Sequence, residues 1–556
     1  MPMKSGDIIK QRNTFWTSKN HAWLQPVSLV AAKDSTALFN VAGMQQLIPF
    51  LSGKAHPLGK RLYNIQWCLR TNDIDEIGDE RHLSYFTMMW NWSLGDYFKH
   101  DAITWSVEFL HNYLWMPKER IWATIFAGSD KHNIPRDTIS ENLLQELGIT
   151  HITAIWFDEN DDSDNFWIAG SEGPCGPCCE FYIDRGVDGE VYADPLNGNL
   201  MQSDRLLGTN DRYTEVRNNV FMEFYKNKDW SLTQLPQQNV DTWMGLERMC
   251  MIIQDKETIF ETDIFENIIK NIEEFLWIEY PPYYRDAAHQ TDKDKIVMRG
   301  FRIITDHVRA SLTLMRDGVL PSNEGRGYVL RRLIRRMYYH LQKNGLDMKA
   351  WNQTHEDLAK LFGSIAQSLF RKDHTDIVAG ITKECVQFQD TIKRWEKILM
   401  QAYEKAAKTD KILSGQFAFQ AYDTYGIPVE LLLEMAQQQG INVDMDWYNV
   451  AMEDARALSR SATKKKFSKW TDWSAYISDI KQTDYMWYAS TLSQDMVLLK
   501  DFVVDDQRIL VFNQTPFYAE WGWEIADTGT ITLDNGEQVR IIDVQKSGWV
   551  FLHMVA

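Results

Sequence analysis

The segment Gly173-Pro-Cys-Gly-Pro-Cys-Cys179 spaces Cys175 and Cys178 like two ligands of a zinc half-site. A tetrahedral site needs four ligands, and the chain has no second CxxC pair and no HxxxH pair. Pro174 and Pro177 suit a stiff turn, so these cysteines are read as part of a structural loop with no zinc expected. A second pattern is cationic. In the segment 325–336, GRGYVLRRLIRR, Arg331/Arg335 and Arg332/Arg336 repeat at i,i+4, while Leu330, Leu333, Ile334 and Met337 form the opposite stripe. Such a helix buries one side and presents guanidinium groups on the other. Those groups meet either phosphates or carboxylates of the same chain, and composition leaves the two open. Cations, aromatic rings and carboxylates able to hold a phosphate, a flat base and an ammonium are scattered through the first 262 residues. Singly, each is as consistent with a surface position as with a site.

The elements that must position these groups change character along the chain. Residues 1–262 mix β-rich runs (120–126, 220–225) with helical stretches (102–114, 245–253), punctuated by Gly, Pro, Asn and Asp, and read as α+β. Residues 263–465 are helical, with apolar stripes through Ile264, Ile268, Ile272 and Phe275, then over 358–370 and 378–403. A Lys- and Trp-rich linker is expected over 466–482. Residues 483–556 turn strand-like around the hairpin signal Asp534-Asn-Gly-Glu537, giving a small β-barrel-like domain that stops before a barrel would close. At 556 residues and 44% hydrophobic composition, about two to four domains are expected. The formal net charge of −18 argues against a protein that coats nucleic acid nonspecifically, so any RNA must meet a local basic face. Six cysteines suggest no disulfide framework, and no signal-peptide or membrane-spanning stretch is seen, which points to a cytoplasmic protein with no membrane partner.

An ordered set of motifs is more specific. Asn40-Val-Ala-Gly-Met44, Cys68-Leu-Arg70, Asn91-Trp-Ser-Leu-Gly-Asp-Tyr-Phe-Lys-His-Asp101, Asn165-Phe-Trp167, the Cys175 segment, Asn218-Asn-Val-Phe-Met222 and Asp241-Thr-Trp-Met-Gly-Leu-Glu-Arg248 are followed by Asp306-His-Val-Arg309, Pro321-Ser-Asn-Glu-Gly-Arg326, Tyr422-Asp-Thr-Tyr-Gly426 and Gln514-Thr-Pro-Phe-Tyr-Ala-Glu520. In content and order these resemble the class II alanyl-tRNA synthetases over nearly the whole chain. The resemblance implies a class II antiparallel sheet flanked by helices, then an all-helical tRNA-recognition domain. It implies ATP-dependent activation of L-alanine and transfer to the 3′ end of tRNA(Ala), with ATP and Mg2+ required. By it, Arg70 clamps the α-phosphate, Phe86 stacks on adenine beside Met88, and Arg248 holds the far end of the triphosphate. Asp241 pairs with the substrate ammonium, Asn218 adds a polar contact, and Trp167, Val220 and position 243 wall the methyl group. Asn323 and Asp423 match positions that read the third acceptor-stem base pair, and Arg326, Arg331, Arg332 and Arg335 become phosphate contacts.

Three departures from the pattern stand out. The loop after Arg70 is short and lacks the family's Lys-His pair. Trp90, Trp243, Trp523 and Trp549 fall where the family has glycine; either local change accommodates them or their codons are UGA triplets read as glycine, as 22 tryptophans beside only 30 glycines would suggest. Finally, no editing-domain metal ligands and no C-terminal dimerising segment are found. A monomer without proofreading is therefore expected, served by a separate trans-editing factor. The runner-up is a catalytically impaired tRNA-binding or alanine-sensing relative.

Overall fold

The computed structural model describes residues 2–31, 37–71, 74, 76–155, 165–169, 172–186, 212–284, 290–343, 354–370, 374–409, 411–452, 477, 480, 482–485, 496–504, 507–517, 527, 529–533, 535–547 and 550–555. The chain divides into two compact units, Met1–Tyr448 and Asn449–Ala556. The predicted linker 466–482 and the glycine-like positions Trp523 and Trp549 lie largely or wholly outside the described residues.

The first unit is built on a nine-stranded sheet. Its strands are β1 (Ala22–Trp23), β2 (Arg61–Leu69), β3 (Tyr85–Leu94), β4 (Ile121–Phe126), β5 (His151–Ile155), β6 (Phe166–Ile168), β7 (Gly173–Asp184), β8 (Tyr213–Lys226) and β9 (Leu232–Gly245). They run in the order β1-β2-β3-β9-β8-β7-β4-β5, with β6 beside β7. Every pairing is antiparallel except β1 with β2 and β4 with β5. One face carries the main core, into which Tyr85, Met89, Phe181, Val216, Phe221, Val240 and Met244 project. The opposite face carries a smaller cluster with Cys68, Met88, Trp90, Trp92, Cys178 and Val220. Alternation along each strand sends neighbours to opposite faces, so this second face collects the functional candidates in register.

Helices α1 (Ser5–Ser18), α2 (Lys99–Glu108), α3 (Thr138–Glu146) and α4 (Leu246–Ile253) accompany the sheet. The helical run follows as α5 (Glu266–Leu276), α6 (Asp292–Arg316), α7 (Gly325–Lys343), α8 (His355–Leu369), α9 (Thr375–Ala407), α10 (Gly415–Asp423) and α11 (Val429–Gln438). The α5 stripe Ile268, Ile269, Ile272 and Leu276 is buried as its spacing predicts. Helix α6 is buried almost all round, including its polar residues Thr305, Asp306, His307 and Arg309. Buried polar groups need partners, and Asp306 finds them on β3: it accepts hydrogen bonds from Ser84 N at 2.9 Å, Ser84 Oγ at 2.5 Å and Tyr85 N at 3.3 Å.

The cysteine segment is not the stiff turn that its prolines suggest; it is β7, in the interior of the sheet. Pro177 falls within a register shift between Cys175 and Cys178 that interrupts the β7–β8 ladder, while Pro174 keeps its register with Tyr225. Gly176 lies so close to β8 that a Cβ would stand 1.9 Å from Phe221 O. Cys175, Cys178 and Cys179 are all buried, and they enter three different apolar clusters. That divergence keeps them from gripping one ion together.

The second unit holds a five-stranded antiparallel sheet of β10 (Leu498–Val504), β11 (Gln507–Phe512), β12 (Gly529–Thr532), β13 (Gln538–Ser547) and β14 (Val550–Val555), in the order β10-β11-β14-β13-β12. The predicted hairpin joins β12 to β13, with Leu533 N bonded to Glu537 O at 2.9 Å and Gly536 at φ +84°. Among the described residues the sheet is open.

Candidate functional site

Arg70 follows β2, its amide bonded to Ser84 O at 2.9 Å, and its guanidinium lies 5.2 Å from the ring of Phe86 on β3. Across β3, Met88 is in register with Gly245 at the end of β9, where the chain turns into α4 and places Glu247 and Arg248. The result is a cleft of about 560 Å³ lined by Arg70, Arg81, His82, Leu83, Phe86, Met88, Trp243, Gly245, Glu247 and Arg248. The four residues predicted to hold ATP therefore share one surface. Arg248 is steadied by Glu215, Nη1 to Oε2 at 3.0 Å. Glu247 is committed elsewhere: it receives Arg309 Nη2 at 2.7 Å and the amide of Thr87.

Arg81 and His82 are cleft residues that sequence reasoning missed. His82 hydrogen-bonds Asp79 through Nδ1, and this bond holds its imidazolium above the ordinary histidine range. Its spacing was a usable signal, since His82 and Leu83 lead directly into the strand that carries Phe86. The cationic positions supplied here partly answer the missing Lys-His pair after Arg70.

The predicted amino-acid residues lie on the same sheet face. Trp92 on β3 pairs in register with Asp241 on β9, and Asp241 with Val220 on β8; one step along, Trp90 pairs with Trp243, and Trp243 with Asn218. Trp167 and Trp243 pack against the cluster that holds Val220, Cys178 and Trp90. Asn218 donates to Glu180 Oε1 at 2.8 Å. Asp241 is only 1% exposed and its Oδ1 accepts no hydrogen bond, so burial pushes its carboxyl up to about 8. Along the face, the Trp90/Trp243 row separates the Trp92/Asp241 row from the Met88/Gly245 row at the cleft. Asp241, Asn218, Val220 and Trp167 do not line the cleft as it stands.

A second concavity, of about 720 Å³, lies in the helical region and is lined by Asn323, Tyr328, Arg331, Arg332, Arg335, Tyr422, Gly426 and Pro428. Arg331 bonds Asn323 Oδ1, and both Arg331 and Arg335 reach the buried Glu384, at 3.2 and 2.8 Å. Carboxylate partners within the chain thus take up part of this arginine face. Asp423 follows Tyr422 on α10; its side chain is outside the described set. Arg326 is not in the groove: it donates to Leu38 O and Ala31 O, both at 2.8 Å. Arg336, the last of the repeat, turns inward to Ile74 O at 2.6 Å.

An antiparallel sheet ending in an arginine-lined cleft, backed by helices, is the architecture of a class II synthetase. The chain belongs to the family tRNA synthetases class II (A), which matches residues 8–556. Among its relatives, alanine–tRNA ligases of Cytophaga hutchinsonii and Caldicellulosiruptor saccharolyticus are 33% and 34% identical over 99% and 98% of this chain. The chloroplastic/mitochondrial alanine–tRNA ligase of Populus trichocarpa is 34% identical over 99% of it. The chain spans 61%, 60% and 55% of the lengths of those three relatives. Of solved structures, apo histidyl-tRNA synthetase of S. aureus is 11% identical, with a TM-score of 0.27 over 52% of this chain and 80% of that one. No helix among the described residues is long and apolar enough to cross a membrane.

Proposed function

We propose that this chain activates L-alanine with ATP and transfers it to the 3′ end of tRNA(Ala). The observation that carries the reading is the convergence of Arg70, Phe86, Met88 and Arg248 on one cleft at the end of a sheet face that also bears Asp241. Phe86 offers a flat surface for adenine. Arg70 meets the α-phosphate, where a planar, permanently charged donor stabilises the charge developing at phosphorus. Arg248 and Arg81 would meet the outer phosphates, with His82 beside them. Mg2+ would accompany ATP and neutralise charge on its phosphates; Glu247, which lines the cleft, is already engaged by Arg309.

The alanine carboxylate needs no activation by a base. Its oxygen attacks the α-phosphorus, the bond to the β-phosphate oxygen breaks, and pyrophosphate leaves with alanyl-adenylate formed. A terminal ribose hydroxyl of the tRNA then attacks the carbonyl carbon, and AMP leaves as its proton passes to solvent or phosphate. Asp241 is the group for the substrate ammonium, with Trp167, Asn218 and Val220 around the methyl group. Such a pocket discriminates weakly against glycine, since one methyl is worth about 1–3 kcal/mol. Asn323 would read the acceptor stem in the helical groove while Arg331, Arg332 and Arg335 hold its phosphates, and Asp423 would share the reading; the resemblance supports these roles, as does the groove that gathers Asn323 with the arginines.

Alanine-dependent exchange of pyrophosphate into ATP, followed by charging of tRNA(Ala), tests the proposal. Exchange specific to alanine together with charging is expected. Intact tRNA binding without exchange for any amino acid would replace it with a binding-only role.

A further inference from the structure

Seven described residues other than glycine have left-handed backbone. Four are Asn20, Asn133, Asp255 and Lys411; the other three are tryptophans, Trp115 at φ 55°, Trp230 at φ 66° and Trp277 at φ 56°. Asparagine and aspartate tolerate this region through short side chains that bond locally, whereas a bulky side chain there is an outlier.

Each of the three occupies a place that a glycine motif would fill. Trp277 follows the last residue of α5, with its amide bonded to Glu273 O and the next amide, Ile278, returning to the same oxygen at 3.4 Å. That is the left-handed stop of a helix, where glycine is the usual residue. Trp115 ends the helical run through Phe109–Tyr113; Met116 N folds back to Leu110 O at 2.9 Å and Pro117 follows. Trp230 closes the β8–β9 hairpin, with its amide on Asn227 O at 3.0 Å and Asn227 N on Ser231 O at 2.9 Å. A tight turn completed by a left-handed residue takes glycine at that step.

Packing does not compel indoles at these places. Trp277 is 88% exposed, Trp115 69% and Trp230 40%, although the Trp230 ring does receive the Lys226 ammonium at 3.7 Å. By contrast Trp16 and Trp395 are fully buried and have no left-handed backbone. A different observation concerns Trp90: its Nε1 is buried with no partner, and Gly43 approaches so closely that a Cβ there would lie 2.5 Å from that nitrogen. Trp90 faces Trp243 in register.

We propose that the triplets written as tryptophan at 115, 230 and 277 are decoded as glycine in the cell that makes this protein, and that positions 90 and 243 are decoded in the same way. The backbone at the first three carries the inference without reference to function. The consequence at 90 and 243 rests on the function proposed above: with hydrogen in place of both indoles, the cleft beside Met88 and Gly245 extends along the sheet face to Asp241. Its unpartnered Oδ1 then meets a small amino acid rather than a wall of indole.

Peptide mass mapping of the protein isolated from its native source tests this directly. Glycine is expected at 115, 230, 277, 90 and 243, with tryptophan at 16 and 395 as internal controls. Tryptophan at 115, 230 and 277 overturns the inference; glycine at those three with tryptophan at 90 and 243 overturns its extension to the site. In the chain carrying the written tryptophans, W115G/W230G/W277G should raise Tm, and an unchanged or lower Tm counts against glycine at those turns. W90G/W243G should raise alanine-dependent pyrophosphate exchange by about tenfold or more. Glycine in the peptides with no exchange for any amino acid leaves the decoding standing and removes the proposed function instead.

Discussion

Asp241 is an acid held in its neutral form by its surroundings. Burial raises its carboxyl from the ordinary range to about 8, so the folded protein binds a proton that the unfolded chain has released. Stability attributable to this group is therefore highest below the unfolded value and falls as pH rises toward 8. Asp241→Asn removes the cost of ionisation while keeping the shape. That variant should be more stable than the parent at pH 9, by about 1–3 kcal/mol after allowing for relaxation and with a correspondingly higher Tm, and the gap should close toward pH 4. It should also lose alanine-dependent exchange, because an amide has no proton to give up, whereas the carboxyl can ionise when the substrate ammonium arrives beside it. Parallel Tm profiles across that range would mean that Asp241 is hydrated and not sealed. Legibility at this scale was uneven: Arg70, Phe86, Met88 and Arg248 could be named because each sits in a recognisable run, whereas Arg81 and His82 follow a shortened loop that hides their alignment with the strand. The separation of Asp241 from the cleft by Trp90 and Trp243 became visible only through strand register.

Between residue and molecule stands the attachment of α6 to β3. Asp306 receives two main-chain amides and a hydroxyl from Ser84 and Tyr85, and one of its oxygens also meets His307 Nδ1 at 2.8 Å. Desolvation drives the His307 imidazole down to about 4, so the ring is neutral and donates to the carboxylate. This clamp fixes the start of the strand that presents Phe86 and Met88. Asp306→Ala leaves buried amides without an acceptor and should destabilise the protein by about 2–4 kcal/mol in urea unfolding. It should also raise the KM for ATP, and normal KM with reduced stability would confine the clamp to folding. Helix periodicity made α5, α8 and α9 legible in the sequence, because a 3.6-residue apolar stripe marks the face that must be buried. Strand β7 was read as a turn because glycine and proline punctuate it; what rescues it is a ladder interruption and the close passage of β8, both long-range facts. The same limit applies to the arginine repeat. Spacing identified the helix, but only packing shows that Arg336 turns inward and that Arg326 caps carbonyls of the N-terminal segment.

A net charge of −18 disfavours RNA at long range, so the proposed docking of a tRNA stem depends on a local groove strong enough to prevail at close range. Glu384 tempers that groove by holding Arg331 and Arg335, and the groove is also lined by Arg332, which carries a charge, and by Asn323, which carries none. The two contacts differ in physics. A phosphate contact releases condensed counterions, and a base contact does not. Arg332→Ala should therefore weaken tRNA binding and flatten the plot of log affinity against log salt by about one unit, with little change in alanine-dependent exchange. Asn323→Ala should lower charging while leaving the salt slope as it was, since an amide lost from a minor-groove edge carries no net charge. Filter-binding titrations across a salt series, paired with exchange and charging assays on each variant, separate these outcomes. Equal loss of exchange and charging in both variants would make the groove a packing feature, because the cleft on β2, β3 and β9 shares no lining residue with it.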